Sequence, residues 1–256
     1  MSKPAPRTLT VIGSKYVTPN MFRVTLGGPG LVDFPKDQES AYVKLNLPLP
    51  GVEQSLRRTY TISAQRDDEI DLDFVLHAGS SPATSWALAA KPGDQVLVGG
   101  PGPKKLINKE VDWFFLVGDM TALPAIAVNL ASLEENAHGY AVIQIKEESD
   151  IQTLQCPTGI ALHWVIKSVP DSSDSSLLAK VKELPWLPGD VAVWAACEFH
   201  SMRMLRKYFK LERQIPRDNL YVSSYWKIGS TEDQHKIAKQ NDARTEQAES
   251  KTRTGD

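Results

Sequence analysis

The chain has 256 residues, enough for one large domain or two of ordinary size, and with 41% hydrophobic and 23% charged residues it is globular rather than disordered. Its net charge of -2 provides no global basic field for binding nucleic acid or an anionic membrane. No apolar run approaches the roughly 18 residues of a membrane helix, and no secretory signal is visible, so we expect a cytoplasmic protein. Two distant cysteines, Cys156 and Cys197, argue against a structural disulfide or an iron–sulfur cluster.

The first hundred residues have a β pattern. Short segments of alternating character, bounded by Gly, Pro, Asp or Asn, follow one another without a long helix, which predicts a small antiparallel barrel. A single helical run, SSPATSWALAAKPGD, opens at a Pro and closes at Pro-Gly, and we expect it to cap the barrel. The six predicted strands are TLTVIGSKYV, MFRVTLGG, AYVKLNLP, RRTYTISAQ, EIDLDFVLH and DQVLVGGP.

From about Val111 strands alternate with helices, which predicts a parallel sheet with right-handed crossovers. The fold class is therefore β plus α/β: a barrel domain over 1–103 and an α/β domain over 104–229. The polar tail, 230–256, is expected to be partly helical, with its last dozen residues disordered. The second domain contains DWFFLVG, TALPAIAVNLASLEEN, YAVIQIKE, LHWVIKSV, SSLLAKVKELPW, DVAVWAACE, FHSMRMLRKYFKL and LYVSSYW.

The strongest chemical signal is Arg58-Thr59-Tyr60-Thr61 in a predicted barrel strand. An arginine fork can bind an anionic cofactor bidentately, a tyrosine ring can pack flat on a planar one, and a threonine hydroxyl can hydrogen-bond its edge. Taken alone, the motif is equally well explained as an exposed strand.

The next segment, DFVLHAGSSPATSWA, supports the cofactor interpretation. N–H groups at Ala83, Thr84 and Ser85 would form an anion site at a helix N-terminus, with the Ser85 hydroxyl beside them. With Arg-x-Tyr-Thr before it, this stretch resembles the siderophore-interacting proteins, a branch of the ferredoxin-reductase-like flavoproteins. The resemblance implies that both segments bind FAD and that His77 lies beside the flavin.

Two motifs of the second domain extend the resemblance. VGDMTALPAIA occupies the place of a nucleotide-binding turn but lacks G-x-G-x-x-G. Asp119 there would oppose a phosphate, and Thr121 either contacts the electron donor or caps the helix. VWAACEFHSMRMLRKY resembles the family's Trp-x-Ala-Gly-Glu segment and departs from it at Cys197. Cys197 and Glu198 are candidates for a donor pocket, or equally a buried thiol and a helix-start carboxylate.

The last motif, SSYWKIG, resembles the family's terminal Tyr-Trp-Arg-x-Gly, with Lys227 in place of Arg. The resemblance places Trp226 against the flavin or its adenine side, whereas packing in the core is an equal alternative. Together the matches span most of residues 7–229.

A ferric siderophore is bulky and often anionic, and its iron keeps the chelator's oxygen ligands, so no protein metal ligands are expected. Lys44 could point across the flavin face, and His235 and Lys239, four residues apart, share one face if the tail is helical. These three residues are the predicted substrate-binding cradle. A solvated tail with ordinary surface charges is the alternative.

The resemblance implies FAD-dependent reduction of a ferric siderophore, which releases Fe(II) in the cytoplasm for iron acquisition. NAD(P)H and reduced ferredoxin are both candidate electron donors. The alternatives are a ferredoxin- or flavodoxin-type NAD(P)H reductase and a non-catalytic siderophore-binding flavoprotein. We expect a monomer whose partners are the ferric siderophore and, if it is the donor, ferredoxin, with neither nucleic acid nor membrane involved.

Overall fold

The computed structural model describes residues 5–49, 52–76, 81–169 and 171–253. Within these ranges, six antiparallel strands close into a barrel in the order β1-β2-β5-β4-β3-β6, which confirms the predicted barrel. The strands are β1 (Arg7–Thr18), β2 (Met21–Gly27), β3 (Tyr42–Leu49), β4 (Val52–Gln65), β5 (Glu69–Val75) and β6 (Gln95–Gly99).

Side chains alternate between the inside and the outside of the barrel along each strand, and the inward-facing ones form the barrel core. Val43, Leu45 and Leu47 of β3 are fully buried, whereas the residues between them lie on the outer face. Helix α1 (Pro82–Ala89) buries Ala83 and Ala87 in the same core, so it caps the barrel as predicted.

The second domain is a parallel sheet with helices on its faces, again as predicted. Every residue of β7 and β10 is buried, as expected for central strands covered on both sides. The described strands, in the order β11-β10-β7-β8-β9, are β7 (Trp113–Asp119), β8 (His138–Ile145), β9 (Gly159–Ile166), β10 (Val191–Glu198) and β11 (Leu220–Trp226). The helices between them are α2 (Leu123–Ala131), α3 (Ser176–Glu183) and α4 (Phe199–Lys207).

The tail forms one long helix, α5 (Glu232–Arg253), so the predicted disorder of the last dozen residues is wrong as far as Arg253. Ion pairs hold α5 against α4 and the helical turn that follows it: Arg206 lies 2.7 Å from Asp242, and Lys210 lies 2.6 Å from Glu246. Residues four apart share a face of each helix, which is why these charges form a ladder. None of the helices in the described ranges combines the length and the apolar character needed to cross a membrane.

A buried carboxylate joins the two domains. Asp150, which is completely buried, accepts hydrogen bonds from the Thr18 hydroxyl (2.6 Å), the Asn20 backbone N–H (3.0 Å) and the Asn20 amide (2.9 Å). On the same side, the Lys146 ammonium donates to the Leu76 carbonyl. The turn between β1 and β2 is thereby fixed against the segment that follows β8.

We expect Asp150→Ala to lower the free energy of unfolding by about 2–4 kcal/mol, because it leaves buried donors of Thr18 and Asn20 without an acceptor. Urea unfolding followed by tryptophan fluorescence measures this. The control, Glu148→Ala, removes an exposed carboxylate from the same turn and should change stability by less than about 0.5 kcal/mol. Equal stability of the two variants would show that Asp150 does not join the domains.

Candidate functional site

The predicted flavin motif lies in β4, where its side chains alternate between two faces. Tyr60 and Arg58 lie directly opposite the buried residues Val43 and Leu45 of the neighbouring strand β3. They therefore share the inner face of the barrel with them. The Tyr60 ring packs against Phe74, with the ring centroids 4.1 Å apart. Burial raises the pKa of the Tyr60 phenol, so the hydroxyl stays protonated at physiological pH.

The first turn of α5 reaches this motif from the other domain. The Thr59 hydroxyl donates to Oε1 of Glu232 (2.8 Å), and Nη1 of Arg58 lies 3.8 Å from Oε2 of the same carboxylate. Arg58 also donates from Nη1 to the carbonyl of Arg57 (2.9 Å). A guanidinium has five N–H donors, so Arg58 can bind a diphosphate as well. The chemistry of the motif therefore fits FAD, although Glu232 faces the same guanidinium.

The start of α1 differs from the prediction of three free N–H groups. Ser81 is the N-cap: its hydroxyl accepts from the Thr84 N–H (3.2 Å), and its carbonyl accepts from the Ser85 N–H (2.9 Å). A serine at this position satisfies the first turn by itself, so the expectation of free N–H groups is wrong for Thr84 and Ser85. The Ser85 side chain is exposed, and Ala83 is buried in the barrel core. A cofactor role for these residues stays a prediction.

His77, predicted to lie beside the flavin, belongs to the segment 77–80, outside the described residues.

Asp119 organises the carboxyl edge of the parallel sheet. Its Oδ1 accepts from the Thr121 N–H (2.9 Å) and hydroxyl (2.5 Å), and its Oδ2 accepts from the Glu198 N–H and the Trp226 indole (both 2.8 Å). Burial raises the pKa of Asp119, while these four donors oppose the rise by stabilising the charged form. The carboxylate thus joins the ends of β7, β10 and β11, a role that the sequence did not reveal.

The contacts of Thr121, Glu198 and Cys197 bear on the alternatives given for them, and a contact of Thr121 or Glu198 with the electron donor stays a prediction. Thr121 does not cap α2, because the N-cap is Ala122 and the Thr121 hydroxyl bonds Asp119 instead. Glu198 caps α4: it accepts hydrogen bonds from the His200 and Ser201 N–H groups. Cys197 is fully buried, and burial raises the pKa of its thiol, with Asp119 and Glu198 adding to the rise. It is therefore a buried thiol rather than a pocket residue.

A cleft opens beside Asp119, between the carboxyl edge of the sheet and the barrel residue Val75. Trp226 lines it and donates its indole N–H to Asp119, so its position is fixed by a hydrogen bond as well as by packing. Two lysines of the cleft, Lys146 and Lys167, were missed from the sequence. Lys146 directly follows β8 and Lys167 directly follows β9, but both fall inside the predicted strand segments YAVIQIKE and LHWVIKSV. The other lining residues include Met120, Thr121, Gln144, Asp171, Asp174, Glu198, Ser201 and Ile228.

His235 and Lys239 share one face of α5, as predicted, but this face binds β11. The Lys239 ammonium donates to the Ser224 carbonyl (2.9 Å) and the Ser223 hydroxyl (3.2 Å), and Nε2 of His235 lies 2.7 Å from the Ser224 hydroxyl. His235 is only 6% exposed, so its predicted place as a titratable cation of the substrate cradle is wrong. The Ser224 hydroxyl is a hydrogen-bond partner for the buried ring, which offsets the loss of its bonds to water.

Lys44 lies on the outer face of β3, directly opposite Thr59. Because Thr59 binds Glu232, Lys44 lies near the start of α5. A contact of Lys44 or Lys239 with a siderophore stays a prediction. Among the described residues, no group of three or more His, Cys, Asp and Glu side chains is placed to hold a metal ion.

The two-domain fold, a closed barrel followed by a parallel α/β sheet, is shared with solved structures of other proteins. The Amycolatopsis cytochrome P450 reductase GcoB, 20% identical, superimposes with a TM-score of 0.67 over 88% of this chain and 72% of its own, a likeness of fold alone. The siderophore-interacting protein SipS from Aeromonas hydrophila is more similar: its TM-score is 0.81 at 29% identity, over 92% of this chain and 98% of its own.

Sequence comparison identifies the family. A model of the siderophore-interacting protein matches residues 111–229, and a model of the siderophore-interacting FAD-binding domain matches 10–57 and 49–105. The ferric vibriobactin reductase ViuB of Vibrio cholerae is 32% identical over 249 residues, which cover 89% of this chain and 92% of ViuB. The chain belongs to the siderophore-interacting protein family.

Protonation of His235 should weaken the docking of α5. Burial, together with the nearby Lys239 and Lys227, lowers the pKa of His235 from 6.5 to about 4, whereas Glu198 opposes the shift. Above about pH 6.5 the ring is neutral whether α5 is docked or free, and docking is strongest. As the pH falls from 6.5 towards 4 the free helix takes up the proton first, so we expect a loss of about 1–3 kcal/mol.

Hydrogen exchange of the α5 amides between pH 4 and 7, corrected for intrinsic exchange rates, measures this loss. His235→Gln cannot take up a proton in this range and should flatten the dependence. The control, His138→Gln, removes an exposed imidazole from β8 and should leave the dependence unchanged. An unchanged slope in His235→Gln would assign the pH dependence to other groups.

Proposed function

We propose that this protein is an FAD-dependent ferric-siderophore reductase. The observation that carries the proposal is the position of the Arg58–Thr61 motif, on a barrel strand that the second domain's α5 contacts directly, in a chain 32% identical to a ferric vibriobactin reductase. When bound, FAD takes up electrons in pairs and passes them on singly, as Fe(III) requires.

The proposed roles of the barrel residues follow from their positions. Arg58 would hold the diphosphate by charge-assisted hydrogen bonds, and Tyr60, backed by Phe74, would present a fixed ring to the isoalloxazine. Thr61, on the opposite face of β4 from Tyr60, would bond the flavin edge with its hydroxyl or backbone. Trp226 would close the side of the site that faces the cleft, because its indole is held by Asp119.

For the electron donor, the cleft supports a pyridine nucleotide. Lys146 and Lys167 supply positive charge to it, and the Asp119 carboxylate, which would oppose a phosphate, is already bound by four donors. Asp171, Asp174 and Glu198 also line the cleft and would oppose a phosphate, so the proposal requires that the phosphate bind beside the two lysines. Reduced ferredoxin is the competing donor, since the turn after β7 lacks the glycine pattern of a dinucleotide site. Anaerobic reduction followed through the flavin absorption band, with NADH, NADPH and reduced ferredoxin compared, decides between them.

We place the ferric siderophore near Lys44, where the barrel meets the start of α5. The iron would keep the oxygen ligands of its chelator, so positive charge is the contribution required of the protein. Lys239 lies farther along α5, and its ammonium is engaged by β11, so we expect it to contribute less than Lys44. We propose that the protein acts as a monomer in the cytoplasm, where released Fe(II) would be used.

The alternative is a flavoprotein that binds siderophores without reducing them. A reductant should bleach the flavin in either case. Only in a reductase would a ferric chelate then reoxidise the flavin under anaerobic conditions. Fe(II) would appear in a chelator assay. A flavin that stays reduced would exclude the proposed activity.

Arg58→Ala should weaken FAD binding by about 2 kcal/mol, which is roughly 30-fold in the dissociation constant, because a charge-assisted contact to the diphosphate is lost. Quenching of flavin fluorescence on binding measures it. The matched control is Arg57→Ala: Arg57 lies on the outer face of the strand and bonds Asn46. If both variants bind FAD as the parent does, the diphosphate lies elsewhere.

Lys44→Ala should raise the dissociation constant of an anionic ferric siderophore about two- to five-fold at ordinary salt, with FAD content unchanged. The effect should shrink as ionic strength rises, and a neutral chelate should bind equally to both proteins. Lys15→Ala, an exposed lysine of β1, is the control. If affinity for anionic and neutral chelates fell equally, Lys44 would contribute through its shape rather than its charge.

A further inference from the structure

The carboxylate of Glu232 contacts two residues of the flavin motif, Thr59 and Arg58, and the proposed function assigns the FAD diphosphate to Arg58. Its Oε1 accepts from the Thr59 hydroxyl at 2.8 Å, and its Oε2 lies 3.8 Å from Nη1 of Arg58. Both contacts join residues about 173 positions apart in the chain. A carboxylate beside an arginine already neutralises part of the positive charge that a phosphate would otherwise bind.

Glu232 is held at this place by the rest of α5. The first turn is fixed by reciprocal bonds: the Thr231 N–H donates to the Gln234 side chain (2.8 Å), and the Gln234 N–H donates to the Thr231 hydroxyl (3.3 Å). One turn later, His235 and Lys239 attach the helix to β11, and the ion pairs with α4 attach its second half. The position of the carboxylate therefore depends on the docking of the whole helix.

Two anions cannot share one guanidinium without repelling each other, and the repulsion grows where water is partly excluded. Arg58 has a side chain only 21% exposed and Glu232 one 31% exposed, so solvent screens them incompletely. A diphosphate bound at Arg58 would thus displace the Glu232 carboxylate or be weakened by it. Displacement would act on α5, which carries Lys239 as well.

We propose that Glu232 is an internal competitor of the FAD diphosphate, so that FAD binding and the docking of the first turns of α5 oppose each other. This inference rests on the proposed function, because it concerns the same FAD site. Thermodynamic linkage makes the coupling reciprocal. A docked α5 lowers the affinity for FAD, and bound FAD lowers the equilibrium constant for docking of α5 by the same factor. The helix that carries Lys239 then differs in stability between the FAD-free and FAD-bound proteins.

Glu232→Gln tests the competition, because it keeps the size and hydrogen-bonding capacity of the side chain and removes its charge. In titrations of FAD-free protein followed by flavin fluorescence, we expect the variant to bind FAD about three- to ten-fold more tightly at low salt. The gain should shrink as salt rises. Riboflavin, which has no phosphate, should bind parent and variant alike.

Asp233→Asn is the matched control, since Asp233 is exposed and carries the same charge in the same helical turn. It should leave FAD affinity within about two-fold of the parent. This result would separate competition at Arg58 from a general effect of removing one negative charge near the site. Glu232→Ala is the second variant: it should gain FAD affinity as Glu232→Gln does. Circular dichroism verifies that each variant is folded.

Hydrogen exchange of α5 is the second measurement. Addition of FAD should speed exchange in the first two turns of α5 in the parent and change it little in Glu232→Gln. Equal or weaker FAD binding by both Glu232 variants, or slower α5 exchange in the parent with FAD, would overturn the competition. If neither parent nor variants bind FAD, the proposed function itself fails, so the two failures are distinguishable.

Discussion

The buried carboxylate of Asp119 is the interaction on which the second domain's site depends. Three parallel strands end at the same edge, and their ends leave backbone and side-chain donors that need an acceptor away from water. One carboxylate satisfies donors from the turn after β7, from the end of β10 and from Trp226. It thereby fixes the indole and the start of α4, both of which line the cleft.

Apolar and polar contacts both join the two domains, since Met21 of the barrel is buried in the apolar core of the second domain. Asp150 and Lys146 bind the barrel on one side, and Glu232 binds it on the other. Polar contacts between domains are specific in geometry but weak in total, because each replaces bonds to water. Such an interface can fix the flavin motif against the cleft and still adjust when charge is added, which is what the competition at Arg58 requires.

The helix α5 shows how composition can mislead. Its sequence is polar throughout, and on composition alone its end reads as disordered. It is held instead by ion pairs along one face, and by the buried His235 and the hydrogen bonds of Lys239 at the edge of β11. Sequence reasoning placed His235 and Lys239 on one face correctly, yet it could not tell whether that face meets a substrate or the sheet.

The sequence by itself determined the order of strands and helices, because periods of two and of 3.6 residues are local properties, and Pro and Gly mark their ends. It also singled out Arg58–Thr61, through the resemblance to a known family rather than through the residue types alone. Only the tertiary structure decided which donors were already satisfied: Ser81 caps α1, Glu198 caps α4, and Asp119 binds Trp226 from 107 residues away. Hydrogen-bond partners distant in sequence are chosen by packing, and no local pattern records that choice.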